Sequence, residues 1–290
     1  MSGSVLLGIV TRNRADILPK ALASALAQTA PNLHVAVIDD GSTDATGELP
    51  ARFPQVRWTR RPASSGYMPA RNELMATGGF DYFVSLDDDA WFLQGDEISV
   101  AVDVLERHPG VAAIAFDILS PDRPDCVPRG EPRPAAMFIG CGHVLRLSVV
   151  RSVGVYEAVP GSWGSEEKDL CLRLLDAGHQ IVQLPGVHVW HDKTTLAREY
   201  PAQYRSSICN DLTMTFHRTP VWLLPPALLL KLGQHARAAW KRGATRLYWE
   251  GIILFARFLP QAWRLRRPVK LATLRNFRRL SRMGNTESRK

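Results

Sequence analysis

Three consecutive aspartates, Asp87, Asp88 and Asp89, directly follow the apolar segment "YFVSL" (82–86). Unit charges about 4 Å apart repel each other by roughly 4 kcal/mol at the effective dielectric near a protein surface, so the cluster needs compensation. A solvated turn would supply it, because Asp is a common turn residue. The preceding segment, however, is typical of a buried strand, and open α/β sheets bind ligands beyond the carboxyl ends of their strands. Strand alternation would point Asp87 and Asp89 to one side, where two carboxylates suit a hard divalent cation.

Two further pairs of acids are candidates for a role in binding or catalysis. Asp39 and Asp40 end a second apolar segment, "HVAVIDD" (34–40), although the "GS" that follows also fits simple turn chemistry. Glu166 and Glu167 open a predicted helix. The positive end of a helix dipole favours an ionised carboxylate by roughly 0.3–1 kcal/mol, which suits a general base. The simpler interpretation is that both acids serve only the dipole.

The elements that would position these residues alternate between strand and helix, which is typical of an α/β fold with a mostly parallel central sheet. We predict strands over residues 5–10, 34–40, 56–61, 82–86, 111–116, 135–142 and 180–184. We predict helices over residues 17–28, 68–77, 97–108 and 166–177. No G-x-G-x-x-G follows the first strand and no P-loop motif occurs, so a pyrophosphate would be held through a metal.

Length and composition indicate an ordinary globular protein of one large or two ordinary domains, with 290 residues of which 46% are hydrophobic. The four cysteines lack C-x-x-C spacing, so neither a zinc site nor a disulfide framework is indicated, and we expect a cytoplasmic protein. Nothing resembles a signal peptide. The longest uncharged apolar stretch, 219–230, is shorter than the roughly 20 residues of a spanning helix.

Charge divides the chain into two parts. Residues 231–290 carry 16 Lys and Arg against two acids, a net charge of +14, whereas residues 1–229 carry −6. Five residues of this tail recur near helical spacing: Trp240, Leu247, Gly251, Leu254 and Phe258. A basic, aromatic-rich helix suits an anionic membrane surface, so we expect peripheral attachment at the cytoplasmic face. The alternatives are packing on the body or in a homo-oligomer, and nucleic-acid binding, for which no motif is present.

Five segments together resemble glycosyltransferase family 2, the inverting enzymes with the GT-A fold. They are "VTRNRADILPKALASALAQT", "VAVIDDGSTDAT", "GYMPARNELM", "FVSLDDDA" and "WGSEEKDLCLR". The resemblance covers about residues 4–216. It implies a GT-A domain over 1–218, with a nucleotide-binding part to about 116 and an acceptor-binding part over about 117–218, followed by a basic amphipathic helical extension over 219–290.

The resemblance also implies roles for individual residues. Those implied in nucleotide-sugar binding are Thr11, Arg14, Asp39, Asp40, Arg71, Asp87 and Asp88. Those implied in binding Mg²⁺ or Mn²⁺ are Asp89, Asp87 and His191, with His188 as a competing candidate. The implied base is Glu167 or Glu166, a Glu where many relatives have Asp. On the acceptor side the resemblance implies Gly140, Cys141, Gly142 and Trp163.

These roles predict metal-dependent, inverting transfer of a sugar from a nucleotide-sugar donor to a hydroxyl of a glycan or lipid-linked acceptor, as in cell-surface polysaccharide synthesis. A glycoside hydrolase is an alternative, because paired carboxylates also serve that chemistry. A catalytically silent sugar-nucleotide-binding or scaffold protein is another. A nucleotidyltransferase would show a Gly-rich loop after the first strand, where this chain has "TRNR".

Overall fold

A computed structural model describes residues 3–157, 159–160, 163–196 and 200–287 of the chain. The strands are β1 (Val5–Thr11), β2 (Leu33–Asp39), β3 (Arg57–Arg60), β4 (Tyr82–Asp87), β5 (Ala90–Phe92), β6 (Val111–Leu119), β7 (Arg133–Pro134), β8 (Gly142–Arg146) and β9 (Gln180–His191). The α-helices are α1 (Leu18–Leu26), α2 (Leu49–Arg52), α3 (Tyr67–Ala76), α4 (Glu97–Arg107), α5 (Leu147–Val153), α6 (Glu166–Asp176), α7 (Tyr200–Arg218), α8 (Leu224–Lys241), α9 (Thr245–Leu265) and α10 (Leu271–Glu287).

The described strands form one sheet in the order β3-β2-β1-β4-β8-β6-β9-β5, with β7 added on β9. Strands β1, β2, β3, β4, β6 and β9 run in one direction, and β5, β7 and β8 oppose them. The predicted mostly parallel α/β sheet is therefore confirmed. The register sets Thr11 opposite Asp39 and Val10 opposite Asp87, so the ends of three parallel strands meet at one edge.

Strand alternation builds a core on each face of the sheet. On one face Leu7 and Val84 pack with α1 and α4, whose buried side chains include Leu22. On the other face Leu6 and Phe83 pack with α3, α5 and α6. The period of two in the strands and the amphipathic stripes of the helices thus produce three layers, with the sheet in the middle.

The predicted strand over 135–142 is wrong. Its residues alternate in exposure as a strand would, with Phe138 buried and Ile139 52% exposed. The backbone instead turns, since the N–H of Gly142 donates to the carbonyl of Ile139 at 3.2 Å, and β8 begins only at Gly142. Alternation alone does not distinguish a strand from an extended loop that packs one side against the core.

Helices α7, α8 and α9 form a third core, in which Ile208 and Phe216 of α7 meet Leu247, Leu254 and Phe258 of α9. Most of the predicted tail stripe therefore faces the protein, whereas Trp240 is 76% exposed. None of the described helices is both long enough and apolar enough to cross a bilayer. Residues 288–290 of the predicted extension lie outside the described part of the chain.

The C-terminal helix α10 returns to α6. Oδ1 of Asp176, the last residue of α6, accepts hydrogen bonds from the N–H of Lys270 at 2.8 Å and from Oγ1 of Thr273 at 2.7 Å. Arg218, the last residue of α7, is buried and donates through Nη1 to the carbonyl of Arg267 at 3.1 Å. The predicted boundary at 218 coincides with the end of α7, while the one near 116 falls inside β6.

Ion pairs join α6 to the end of α7. Asp169 of α6 accepts hydrogen bonds from Nε of Arg173 at 2.8 Å and from Nε of Arg218 at 2.5 Å. Burial favours a higher pKa for Asp169, but the charges and hydrogen bonds of the two arginines lower it. Helix α6, which begins with the predicted catalytic pair, is thereby joined to the end of α7 through Arg218, while Arg173 pairs with Asp169 within α6.

Candidate active site

A cavity of about 430 Å³ opens at the edge where β1, β2 and β4 end. Of the predicted site residues, it is lined by Thr11, Arg14, Asp40, Arg71, Asp87, Asp88, Asp89, Gly140, Cys141, Trp163, Glu166, Glu167 and His191. Two predicted residues do not line it. Asp39 is buried at the end of β2, and Gly142 is paired with Leu86 inside the sheet.

The three aspartates do not alternate as a strand would, because β4 ends at Asp87 and the next two residues form a turn. Each carboxylate meets a positively charged or hydrogen-bonding group, which offsets part of the repulsion among the three. Asp87 accepts a hydrogen bond from Nη2 of Arg71. Asp88 accepts one from Oγ1 of Thr11 at 2.8 Å and lies 3.9 Å from Nε of Arg14. Burial raises the pKa of Asp88 to about 7, with Arg14 opposing the rise and Asp89 adding to it.

Asp89 is 1% exposed and lies against the end of β9. Its Oδ1 is 3.3 Å from Nε2 of His191, and its Oδ2 accepts a hydrogen bond from the N–H of Thr194 at 3.1 Å. The same His191 nitrogen is 4.0 Å from Oδ2 of Asp87. His191 therefore points at two of the three carboxylates.

His188, the competing candidate, faces away from the cavity. Its Nδ1 is 3.3 Å from Nε2 of Gln94, and its Nε2 accepts a hydrogen bond from the N–H of Val127 at 3.2 Å. The ring of His188 thus contacts Gln94 after β5 and the loop that contains Val127. Of the two histidines, only His191 lines the cavity.

The donor atoms able to hold a cation are grouped at this point. One ligand atom each from Asp87, Cys141 and His191 lies within 4.8 Å of the other two. Nε2 of His191 is buried and makes no hydrogen bond of ordinary geometry within the described residues. Burial, then the charge of Asp87, raises the pKa of the Cys141 thiol well above its usual value. Two hard or borderline donors and one thiol are therefore available.

Glu166 and Glu167 approach the cavity from the start of α6, which follows Ser165 in the left-handed region at φ 71°. Glu166 is 6% exposed and accepts a hydrogen bond from the hydroxyl of Tyr67. Glu167 is partly exposed. The structure thus gives the two adjacent acids different surroundings, with Glu166 tied to α3.

The expectation that the helix dipole keeps Glu167 readily ionised is not met. The pKa of Glu167 is raised to about 8, because loss of surrounding water raises it most, the charge of Glu166 adds to the rise, and Arg71 opposes it. Desolvation and a like charge outweigh a dipole effect of about 0.3–1 kcal/mol. In the free protein this carboxyl is therefore an unusually strong proton acceptor once it is ionised.

Gly140 lies directly beside the carboxylate of this acid. A methyl group on its Cα would overlap Oε1 of Glu167 and lie 3.1 Å from Nη1 of Arg71. Its carbonyl accepts a hydrogen bond from Oγ of Ser85 at 3.0 Å. The absence of a side chain here lets Glu167 and Arg71 approach the same point.

His143 and Tyr156 support the loop that carries Gly140. Nδ1 of His143 donates to the carbonyl of Ile139 at 3.0 Å, and the hydroxyl of Tyr156 donates to its Nε2 at 3.2 Å. Burial, and then the charge of Arg71, lower the pKa of His143 to about 3, so the ring is neutral in this tautomer. The loop that carries Gly140 is thus held by the buried side chains of His143 and Tyr156.

We expect Gly140→Ala to lower catalytic turnover by on the order of 10²-fold, because a misplacement of about 1 Å at a reacting group has that effect. The methyl group must displace the carboxylate of Glu167. Steady-state kinetics would measure the loss. Gly78→Ala is the matched control, since a methyl group there meets no atom within 4 Å. Equal effects of the two substitutions would contradict the proposed contact.

Asp39 and Asp40 both organise loops. Oδ1 of Asp39 accepts a hydrogen bond from the N–H of Ser42 at 2.9 Å. Asp40 accepts hydrogen bonds from Arg61, Ser64, Ser65 and Gly66. Burial favours a higher pKa for Asp40, but these hydrogen bonds lower it. Asp40 therefore fixes the loop before α3 and exposes part of its surface to the cavity.

Several cavity residues have no role in the sequence predictions: Arg12, Ser64, Gly66, Tyr67, Ile139, Ala202 and Gln203. Tyr67 stands inside the segment "GYMPARNELM", so its position beside Arg71 was visible in the sequence. Ala202 and Gln203 belong to the start of α7 and carried no signal. They reach the cavity only because α7 packs against α6 and α9.

The sheet order, the acidic strand ends and the two acids opposite them define the class of protein: this is the GT-A fold of glycosyltransferases. Residues 7–139 match the family model described as glycosyl transferase family 2. This match contains four of the five sequence motifs and confirms the resemblance to that family over this part of the chain.

Three known proteins are similar to the chain. Glycosyltransferase GlyA of Streptococcus pneumoniae serotype 4 is 32% identical over 103 residues, which are 34% of this chain and 15% of that protein. The structure of GalNAc-T7 with UDP, GalNAc and Mn²⁺ aligns with a TM-score of 0.64 and 13% identity, over 76% of this chain and 49% of that one. The mannosyltransferase PcManGT of Pyrobaculum calidifontis, in complex with GDP-Man and Mn²⁺, aligns with a TM-score of 0.59 and 18% identity, over 89% of this chain and 88% of that one. The chain thus spans about a seventh of the length of GlyA and half that of GalNAc-T7.

Proposed function

We propose that the protein transfers a sugar from a nucleotide-sugar donor to a hydroxyl of a glycan or lipid-linked acceptor, with inversion and with the help of a divalent cation. One observation carries the proposal. The acids at the end of β4 and the acid Glu167 face a single cavity, and Arg71 contacts Asp87 while lying beside Glu167. Donor phosphates and an acceptor base would therefore meet across one reacting centre.

On the donor side the basic groups Arg14 and Arg71 are buried at the cavity and suit a diphosphate. Asp87, Asp89 and His191 would hold the cation. Carboxylates together with an imidazole suit Mn²⁺ better than Mg²⁺, which prefers oxygen ligands and water, and a thiol such as Cys141 is too soft for either. A bound divalent cation would neutralise charge that builds on the leaving diphosphate.

On the acceptor side Glu167 would act as general base. The acceptor oxygen bonds to the anomeric carbon of the sugar while the bond from that carbon to the diphosphate oxygen breaks. The hydroxyl proton passes to Glu167, and the negative charge leaves with the diphosphate. Glu166, held by Tyr67, would keep its neighbour's affinity for the proton high.

The acceptor itself would enter past Gly140 and Trp163, whose indole ring is 45% exposed at the cavity. An exposed ring face can cover the apolar face of a sugar. We further propose that the protein works at the cytoplasmic face of the membrane in polysaccharide synthesis, because the +14 charge of residues 231–290 favours an anionic surface.

Thermal unfolding with UDP or GDP tests the donor part of the proposal. At about 100 times Kd a ligand stabilises by about 2.7 kcal/mol, which is an upward shift of roughly 5–10 °C for a domain of this size. We expect such a shift only when Mn²⁺ is also present. A glycoside hydrolase predicts no shift with either nucleotide. A shift without any turnover of nucleotide sugars would instead indicate a silent binding protein.

The raised pKa of Glu167 predicts the pH dependence of transfer. The base must be ionised, so kcat/KM should rise about tenfold per pH unit on the acid side and level off near pH 8, the pKa of the free protein. Glu166→Gln removes a like charge and should move this limb to lower pH. A profile that is flat from pH 6 to pH 8 would contradict Glu167 as the base.

A further inference from the structure

Packing on α7 uses only one face of the α8–α9 hairpin. Gly251 of α9 is buried, and a methyl group there would lie 2.9 Å from the carbonyl oxygen of Arg205 and 2.9 Å from Cβ of Ile208. Phe255 packs edge to face against Phe216 of α7, with ring centroids 6.3 Å apart. The face of α9 that packs on α7 is therefore covered and is not available for binding a partner.

A second face of the hairpin points to solvent although it is apolar. Its large exposed side chains are Leu229, Leu230, Trp240, Trp249, Ile253 and Trp263; together with Trp222, which directly precedes α8, they are here called the outer surface, with exposures of 49–76%. Within α9, Trp249, Ile253 and Trp263 recur at helical spacing. The outer surface holds four of the eight tryptophans in the chain. Exposed apolar surface this extensive marks an interaction site.

The charges around the outer surface have one sign. The exposed basic side chains of the hairpin are Arg237, Lys241, Arg242, Arg246, Arg257 and Arg264. Glu250 is the one acid between residues 231 and 286, and it is paired with Arg246 at 2.9 Å and with Arg205 at 3.4 Å. The hairpin thus presents tryptophans and unopposed arginines together, which suits the headgroup layer of an anionic bilayer.

We infer that the outer surface of the α8–α9 hairpin binds an anionic membrane by lying in its headgroup layer. A second copy of the chain fits less well, because a two-fold contact would bring the same arginines face to face, and interface cores are depleted of charge. Nucleic acid fits less well, because aliphatic Leu229, Leu230 and Ile253 would be left without apolar partners.

Helix α7 links the outer surface to the candidate active site. Gln203 of α7 lines the cavity, and Arg205, two residues on, pairs with Glu250 of α9. The guanidinium carbon of Arg242 lies 5.6 Å from the ring centroid of the adjacent Tyr204. A docked hairpin would therefore separate α7, which lines the cavity, from the lipid surface by about the thickness of α9, roughly 10–12 Å. This last step rests on the proposed function.

Sedimentation of the full chain with vesicles tests the inference. We expect binding to phosphatidylcholine vesicles that contain phosphatidylglycerol, little binding to phosphatidylcholine alone, and release in about 1 M salt, where the Debye length is roughly 3 Å. Trp249→Ala with Trp263→Ala should weaken the partition by about tenfold or more. Leu93→Ala with Val127→Ala is the matched control, because these side chains are 44% and 41% exposed outside the hairpin.

Variants that each remove one positive charge separate the electrostatic contribution to membrane binding from the apolar contribution. Arg257→Gln and Arg264→Gln should each weaken binding about fivefold, the equivalent of about 1 kcal/mol per basic residue near the surface. Arg107→Gln, an exposed arginine of α4, should have no effect. Nucleotide-dependent thermal shifts of every variant serve as the folding control.

Three results would overturn the inference: no binding of the full chain to anionic vesicles, unchanged binding of the double tryptophan variant, or dissociation of a dimer by that variant without any vesicle binding. Retention on RNA in place of vesicles would also overturn it. Vesicle binding without a nucleotide-dependent thermal shift would leave this inference standing and refute the proposed transferase. A nucleotide-dependent thermal shift without vesicle binding would refute this inference and leave the proposed transferase standing.

Discussion

Glu167→Gln is expected to lower the turnover of sugar transfer by about 10²–10⁴-fold while leaving donor affinity nearly unchanged. The amide keeps the shape of the side chain beside Gly140 but cannot take the acceptor proton. The pair of Arg71 and Asp87 on the donor side is untouched. Single-turnover kinetics with saturating donor would report the chemical step, and calorimetric titration would report donor binding.

Glu166→Gln is the matched control for this substitution, because the two acids are adjacent and open the same helix. It keeps a group that can accept the hydrogen bond of Tyr67. We expect a much smaller loss of turnover together with the shift in pH profile described above. Near-normal turnover of Glu167→Gln, with a large loss in Glu166→Gln, would assign the base to Glu166.

Asp89→Ala is expected to weaken Mn²⁺-dependent donor binding by at least about 100-fold, since even residues that only orient metal ligands contribute about 10–100-fold. The carboxylate lies 3.3 Å from Nε2 of His191 and is almost completely buried, so its loss would remove a ligand from the cation site we propose. Titration of donor at increasing Mn²⁺ concentrations would measure the change.

Asp89→Asn separates this effect from a folding defect, because an amide oxygen can still accept the hydrogen bond from the N–H of Thr194. Asp88→Asn is the neighbouring control, since Asp88 meets Thr11 and Arg14 rather than His191. It should leave the dependence on Mn²⁺ intact. Equal Mn²⁺ dependence in the wild type and in Asp89→Asn would remove Asp89 from the cation site.

The strands that carry the site were predictable because local pattern and local chemistry agree. Apolar runs ending in acids gave β2 and β4, and the alternation with helices gave parallel neighbours whose carboxyl ends share an edge. The amphipathic stripe of α1 is buried as its spacing predicts, through Leu18 and Leu22 among others. These features depend on residues close together in the sequence.

The features that the sequence did not predict depend on contacts between residues far apart in the chain. The pKa of Glu167 follows first from its burial and then from the nearby charges of Glu166 and Arg71, and the loop at Gly140 is held by hydrogen bonds from Ser85 to Gly140 and from His143 to Ile139. The apolar stripe predicted over residues 240–258 was limited in the same way. Helical spacing identifies the apolar face of a helix but not which part of the protein packs on that face. Which face of α9 meets α7 is decided by the close fit at Gly251.

The buried pair of Arg218 and Asp169 has a practical consequence for dissecting the protein. Arg218 also holds the chain beyond α9, since the N–H of Val269 donates to its carbonyl at 3.0 Å. Val269 in turn covers Leu172 of the catalytic-side helix α6. Removing the C-terminal segment would strip apolar cover from the helix that begins with Glu166 and Glu167. Surface substitutions therefore test the inferred membrane attachment more cleanly than truncation, because the basic tail is also part of the scaffold that packs on α6.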